Sequence, residues 1–388
     1  MDMNWGHAMQ SGVRRTAAGL IILLATLAVA GHAAAIEMVT SAREAILFDM
    51  ATGTVLTERN ADQPMAPSSM SKLMTVHMVF SRLADGRLSM DDEMPVSEAA
   101  WRRGGSSMFL EIGQRVRLED LLRGIIIQSG NDACIVVAEA ISGSEAAFSE
   151  AMNREAAEIG LTGSNFENST GWPDPAHKMT ARDLVILTAH IIETFPDYYP
   201  LFAETEFTFN EITQQNRNPL LYRNMGADGL KTGHTEAAGY GLVASVERDG
   251  RRLLLVINGL DTSQTRSDEA ERLLEWGFRE FEVVDLFGGD EVVEQADVWL
   301  GETELVPLTV GEPVRITIPR TQRDQMQVAV VYEGPVPAPV TRGDEVARLV
   351  VSAPSIEPRT FPLYAAASVA EAGMIDRVWA ALVHFVLG

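Results

Sequence analysis

Residues Pro67–Thr75 read PSSMSKLMT, and they place Ser69 three residues before Lys72 at the point where a helical pattern begins. Apolar residues at helical spacing follow in MSKLMTVHMVFSRLADG, with Leu73, Val76, His77 and Phe80 on one face and a stop at Gly86. One turn of such a helix brings the Lys72 amine beside the Ser69 hydroxyl. A serine hydroxyl is a poor nucleophile until a base takes its proton. Lysine serves once burial or a second cation lowers its pKa, whereas arginine does not deprotonate in a protein. The chain carries 31 basic residues, and only Lys72, Lys178 and Lys231 among them are lysine. By itself the pair is also an everyday helix cap. The helix start adds backbone N–H groups and a positive dipole end, both of which favour negative charge near Ser69.

On the N-terminal side of this stretch, EAILFDMATGTVLTE reads as two strands around a turn at Ala51 to Gly53. On its C-terminal side, helices are expected in LEDLLRGIIIQ, NDACIVVAEAI, EAAFSEAMNREAAEIG and TARDLVILTAHIIETF. A hairpin turning at Asp249 and Gly250 follows in GYGLVASVERDGRRLLLVING, then a helix in SDEAERLLEWGFREFE. Strands, helices and strands again describe a mixed α/β (α+β) domain over residues 36–284. Beyond it, VVEQADVWLG, ELVPLTV, PVRITIP, MQVAVVYEG, EVARLVVSA and TFPLYAAA are short β-like runs broken by Gly, Pro and Asp, a small all-β, sandwich-like module over 285–367.

The two ends read differently. Residues 1–35 have the form of a secretory signal: Arg14 and Arg15, the apolar AAGLIILLATLAVAG, then Ala33 to Ala35. The run is shorter than the roughly 20 residues that cross a bilayer, which argues against a true span. Residues 368–388 contain an amphipathic helix with Ile375, Val378, Trp379, Leu382 and Val386 on one stripe. Its terminal position and aromatic content favour attachment to a membrane surface over docking on a core. The chain is thus expected to be exported and peripherally anchored on the periplasmic face of the inner membrane.

Composition narrows the chemistry. A formal charge of -23 is unsuited to nucleic acid, whose phosphates need clustered Lys and Arg. The single cysteine, Cys134, forms no internal disulfide and sits in a helical apolar run, as a small buried hydrophobe does. The seven histidines include no i, i+4 pair, so no zinc-peptidase motif is present, and no cofactor is expected.

Two further polar clusters matter. QSGND places Ser129, Gly130 and Asn131 between an apolar run and the next helix, and DGLKTGHTEAAGYGLV places Lys231, Thr232 and Gly233 at the head of a strand. Each alone reads as a capped turn or a hairpin edge. In order, however, Ser-x-x-Lys, then Ser-Gly-Asn about 60 residues on, then Lys-Thr-Gly about 100 further, is the motif set of penicillin-binding proteins and serine β-lactamases, with Gly at the middle of the second motif. PSSMSKLMT, IIQSGNDAC, DGLKTGHTEAAGYGLVAS and LLEWGF, with the β module and the terminal helix, resemble the low-molecular-mass D-alanyl-D-alanine carboxypeptidases of the penicillin-binding protein 5/6 type across essentially the whole mature chain.

The resemblance implies a serine β-lactamase/transpeptidase-like domain followed by the all-β domain and the amphipathic helix. It implies Ser69 as the acyl-enzyme nucleophile, Lys72 as its general base, and Ser129 and Lys231 as a proton-relay and electrostatic wall. Asn131 would hold the substrate amide, with Thr232, Gly233 and His234 facing the substrate and the Ser69 and His234 N–H groups forming the oxyanion hole. Arg266, in QTRSDEAERLLEWGF, would attract the terminal carboxylate. The implied partners are peptidoglycan stem peptides ending in D-Ala-D-Ala, β-lactams as covalent inhibitors, and the membrane surface. A D,D-endopeptidase and a catalytically idle peptidoglycan-binding protein are the neighbouring readings. A β-lactamase is the third, with Glu158 and Glu167 as the available deacylating carboxylates although neither stands in a Glu-x-x-Leu-Asn pattern.

Overall fold

The computed structural model describes residues 39–374. The expected leader at 1–35 and the apolar stripe from Ile375 to Val386 lie outside the described residues. Contacts divide the chain into two compact units, one ending at Arg279 and the other starting at Glu280.

In the first unit the strands β1 (Glu44–Asp49) and β2 (Thr54–Arg59) form the expected hairpin. Two small ribbons follow, β3 (Glu93–Pro95) with β4 (Arg115–Arg117), and β5 (Glu206–Phe209) with β6 (Ile212–Gln215). The long strands β7 (Ala227–Thr235), β8 (Gly239–Arg248) and β9 (Arg251–Leu260) complete a sheet of order β2-β1-β9-β8-β7. Every pairing in this sheet is antiparallel, which makes the unit α+β. The β8–β9 turn is tight because Asp249 and Gly250 both take positive φ, 51° and 76°, the pairing that Asp-Gly supplies to a two-residue hairpin.

Along β9 the run Leu253–Ile257 is buried without interruption, so both faces of the sheet are covered. Leu253 packs against Gly277 of helix α7 (Ser263–Glu280), where an added methyl would lie 2.9 Å from its Cδ1. Leu254 and Val256, one pleat over, join the core of the helical layer. That layer consists of α1 (Lys72–Ala84), α2 (Glu98–Arg102), α3 (Leu118–Ile126), α4 (Asn131–Ser142), α5 (Glu145–Glu158) and α6 (Ala181–Thr194). The apolar stripe of α1 turned out to be only part of its buried surface: every residue from Lys72 to Phe80 is buried, because α1 runs through the middle of the layer. Its lysine is therefore sealed inside the protein.

The second unit is all β. Strands β10 (Phe281–Phe287) and β13 (Val314–Pro319) pair with each other. The strands β11 (Val292–Trp299), β12 (Leu305–Thr309), β14 (Gln327–Val331), β15 (Val336–Pro337), β16 (Glu345–Ala353) and β17 (Ile356–Ala365) form a sheet of order β14-β16-β17-β12-β11-β15. Val284, Val298, Leu308, Ile316, Leu349 and Leu363 fill one core between the two sheets.

Candidate active site

The first and third motifs come together in space: Gly233 packs against the turn that carries Ser69, and the Lys72 charge acts on Lys231. Ser69 stands on the 3₁₀ turn Ser68–Ser71 that leads directly into α1. Ser129 and Gly130 join α3 to α4, and Asn131 opens α4. Lys231, Thr232 and Gly233 lie in the second half of β7, the edge strand, rather than at its head.

Lys72 Nζ lies 2.8 Å from Ser69 Oγ and 2.6 Å from the carbonyl of Thr170. While the lysine is an ammonium it donates to both. Once it loses a proton it keeps the bond to Thr170 and presents its lone pair to the serine, whose hydroxyl then donates. Burial pushes the Lys72 pKa down to about 8, with the charges of Arg217 and Arg103 acting in the same direction. Lys231 is likewise buried, donates at 3.2 Å to the Thr232 carbonyl, and has its pKa lowered first by burial and then by the Lys72 charge. Two amines stripped of water and facing each other's charge favour a state in which one of them is neutral.

Ser129 has a φ of 61°, a left-handed conformation that is uncommon for a residue with a side chain. Its hydroxyl is buried and has no hydrogen-bond partner among the described residues. Asn131 Nδ2 donates to the Gly104 carbonyl at 2.8 Å. At Gly233 an added methyl would meet the Pro67 carbonyl at 3.0 Å and Ser68 Cβ at 3.2 Å. The glycine lets β7 close on the turn that carries Ser69. Gly171 does the same from the other side, at φ 75° and with no room for a methyl beside the Ser68 carbonyl.

Arg266 is buried on α7 rather than lying at the surface as a cap. Its guanidinium sits 5.8 Å from the ring of Tyr240, which stacks on His234 at 3.9 Å, so α7 and β7 are tied through three side chains. Burial lowers the Arg266 pKa, and among the described residues no carboxylate pairs with it. Cys134 is buried as expected, and its thiol is pushed up to about 12 by that burial, which keeps it an unreactive thiol.

Several contributors escape the sequence. The carbonyl of Thr170, the second anchor of Lys72, carries no side-chain signature. His177, whose pKa burial lowers to about 4, bonds Ser71 Oγ at 2.7 Å through Nε2, while its Nδ1 accepts from the Glu167 amide at 3.2 Å. It thereby pins the 165–178 segment to the turn that carries Ser69. Arg217 donates to Ser106 Oγ at 2.6 Å and adds to the positive field on both lysines. Asp132 is a buried hub, accepting from Ser107 Oγ at 2.6 Å, from the Met108 amide at 3.1 Å and from the Leu110 amide at 3.2 Å. It fixes the loop that holds Asn131 in place, and QSGND displays it only as a polar residue beside the motif.

Asp132→Ala leaves at least three buried donors without an acceptor. The expected cost is about 3 kcal/mol or more of stability, with a clear fall in Tm and slower covalent labelling by a penicillin. A variant with unchanged Tm would show that the loop is held by other means. Of the carboxylates considered for deacylation, Glu158 ends α5 and Glu167 accepts from Asn165 Nδ2 at 2.7 Å at the surface. The polar partners of Lys72 are Ser69 and Thr170, and a carbonyl cannot act as a base. Among the described residues no cluster of three or more His, Cys, Asp or Glu could hold a metal ion.

Known proteins resemble the chain over most of its length. The family model described as D-alanyl-D-alanine carboxypeptidase matches residues 31–262, and that of the penicillin-binding protein 5 C-terminal domain matches 281–371. D-alanyl-D-alanine carboxypeptidase DacC of Escherichia coli strain K12 is 39% identical over 379 residues, covering 95% of this chain and 94% of its own. The solved structure of penicillin-binding protein 5 from Haemophilus influenzae aligns with a TM-score of 0.78 at 34% identity, covering 86% of this chain and 99% of that one. Penicillin-binding protein D2 from Listeria monocytogenes, solved in an ampicillin-bound form, aligns with a TM-score of 0.57 at 29% identity over 62% of this chain and 99% of its own.

Proposed function

The chain belongs to the D-alanyl-D-alanine carboxypeptidase family of serine peptidases, and from that premise we propose that Ser69 is its nucleophile and Lys72 the base that activates it. The protein is a penicillin-binding D-Ala-D-Ala carboxypeptidase that acts on peptidoglycan stem peptides. The observation that carries the residue assignment is the 2.8 Å contact between the Ser69 hydroxyl and the buried Lys72 amine.

The reaction runs in two steps. Ser69 Oγ loses its proton to the Lys72 amine and attacks the carbonyl between the two terminal D-alanines. The tetrahedral oxyanion is held by the Ser69 and His234 N–H groups. Its collapse breaks the peptide bond, and the leaving D-alanine amine takes a proton relayed through Lys72, Ser129 and Lys231. Water then attacks the ester and releases the tetrapeptide. Asn131 accepts from the substrate amide, Thr232 and Arg266 receive the terminal carboxylate, and Gly233 sets the approach of β7. Because β-lactams present a comparable strained amide, they acylate the same serine.

The test is direct. The purified soluble protein is incubated with a fluorescent penicillin and then with a pentapeptide ending in D-Ala-D-Ala. A stable adduct mapped to Ser69, together with D-alanine release, is the expected outcome. Absence of an adduct overturns the reading, while rapid β-lactam turnover without D-alanine release moves it to a β-lactamase.

The exported, peripherally anchored state expected for the chain is part of the same proposal. Its support is the sequence of the two ends. Deleting the residues after Glu371 should release the protein from membranes with penicillin binding intact. A product still bound to membranes would place the attachment elsewhere.

A further inference from the structure

We propose that Tyr240 is a positioning residue: its ring holds the Arg266 guanidinium in place without cancelling its charge, and this arrangement sets the preference for a peptide ending in a free carboxylate over one ending in an amide. The proposal rests on the reading of Arg266 as a group that receives the terminal carboxylate. Tyr240 lies on β8, where it pairs with His234 of β7 on one side and with Leu260 of β9 on the other.

Local geometry aims the ring. Tyr240 opposes Leu260 but Leu242 opposes Ile257, so β9 carries one extra residue at this point, and Gly259 there takes the left-handed φ of 78°. A bulge of this kind bends the strand and re-aims the neighbouring side chains. Thr232 and His234 stand two apart on β7 and so project from the same face. The Tyr240 ring stacks on the His234 imidazole at 3.9 Å with 28° between the planes, and Arg266, from α7, lies over the same ring at 5.8 Å. One aromatic side chain therefore touches both the residue that follows the Lys231-Thr232-Gly233 motif and the proposed carboxylate receiver.

Charge argues for what the ring does. Asp268, Glu269, Glu271 and Glu275 share α7 with Arg266, yet they pair with Arg223, Arg272 and Arg248. Arg266 is 8% exposed, has no carboxylate partner among the described residues, and its Nε is buried without a hydrogen-bond partner among them. A carboxylate partner would fix the guanidinium equally well but would neutralise it. The face of an aromatic ring instead attracts a cation and leaves its donors and its charge for a ligand. That charge is felt at β7: burial lowers the Lys231 pKa most, and the charges of Lys72, Arg217 and Arg266 add to the shift.

The experiment uses two pentapeptides that differ only at the C-terminus, one ending in D-Ala-D-Ala with a free carboxylate and the other in its carboxamide. Release of D-alanine or D-alaninamide by the purified protein is followed. The expected kcat/KM is about 30-fold higher for the acid, the scale of a charge-assisted hydrogen bond. Arg266→Gln should bring that ratio close to unity. Tyr240→Leu should lower it about fivefold, the scale of a desolvated cation–π contact, with the loss in the acid peptide and little change in the amide. Tyr240→Phe should keep the ratio of the unaltered protein, because the ring face remains. In the Arg266→Gln background Tyr240→Leu should leave the ratio unchanged. Tm and the final extent of labelling by fluorescent penicillin are followed on every variant, so that misfolding is not read as lost selectivity. A ratio that survives Tyr240→Leu while Arg266→Gln removes it, or a Tyr240→Leu loss that falls equally on both peptides, overturns the role of Tyr240 alone. Equal rates on the two peptides in the unaltered protein, or a ratio untouched by Arg266→Gln, overturns the reading of Arg266 beneath it.

Discussion

Ser69→Ala should abolish the penicillin adduct and lower D-alanine release by on the order of 10⁴- to 10⁶-fold, the scale on which a nucleophile and its base act as a unit. The fold should survive the change. The Ser69 hydroxyl is half-exposed and bonds only Lys72, which keeps its 2.6 Å bond to the Thr170 carbonyl when the hydroxyl is gone. The Tm should therefore stay close to that of the unaltered protein, which separates lost chemistry from lost structure. An adduct that persists, mapped by mass spectrometry to Ser68 or Ser129, would remove Ser69 from its role.

Lys72→Arg is the second large effect, a fall in acylation of about 10²- to 10⁴-fold, because the guanidinium keeps the charge but cannot accept a proton. The pH dependence carries the same argument. The pKa of Lys72 is lowered to about 8, so below that value the ammonium form dominates and can only donate to the serine. At pH 7 roughly a tenth of the molecules hold the neutral amine. Acylation should therefore rise with pH through about 8 and level off above it, with an apparent value that belongs jointly to Lys72 and Lys231. The arginine variant should give a low, flat profile across that window. Because arginine is bulkier in a sealed position, Lys72→Met is the companion, and both are compared by Tm. Activity retained in either variant, or an unaltered enzyme with no rise between pH 6 and 9, would assign the proton to another group.

The same linkage bears on stability. The folded pKa of Lys72 lies below the unfolded value of 10.5, so the folded protein holds fewer protons between about 8 and 10.5. This group therefore opposes folding most at low pH, and its opposition fades as pH rises through that window. Burial penalises the ammonium form of this lysine, which is what the proposed role of Lys72 as a base requires.

Much of the fold was legible. The hairpin at Asp249–Gly250, the helices α1 and α3 to α7, and six strands of the second unit follow from periodicity and turn chemistry, which act over a few neighbouring residues, whereas β10 falls across the boundary expected at residue 284. Burial was legible only in part. The pattern of α1 marked one face as apolar, but Met74, Thr75, Met78 and Val79 are buried as well, since helices and sheet surround α1 on every side. The small ribbons at β3–β4 and β5–β6 were not anticipated. Strands of three or four residues carry too short an alternation to stand out from loops.

The order of amino acids alone carries the chemistry of the proposed site: a serine three residues before a scarce lysine, then Ser-Gly-Asn and Lys-Thr-Gly in order. Reaction types are set by side-chain chemistry, and side chains are written in the sequence. Only the tertiary structure decided what state those groups are in. Burial of Lys72, its anchor on a backbone carbonyl 98 residues away, the unpartnered Ser129 hydroxyl and the Asp132 hub all arise from segments meeting in space. A pKa responds to solvent and to distant charges, and a carbonyl oxygen is the same on every residue, so neither leaves a mark in the order of amino acids.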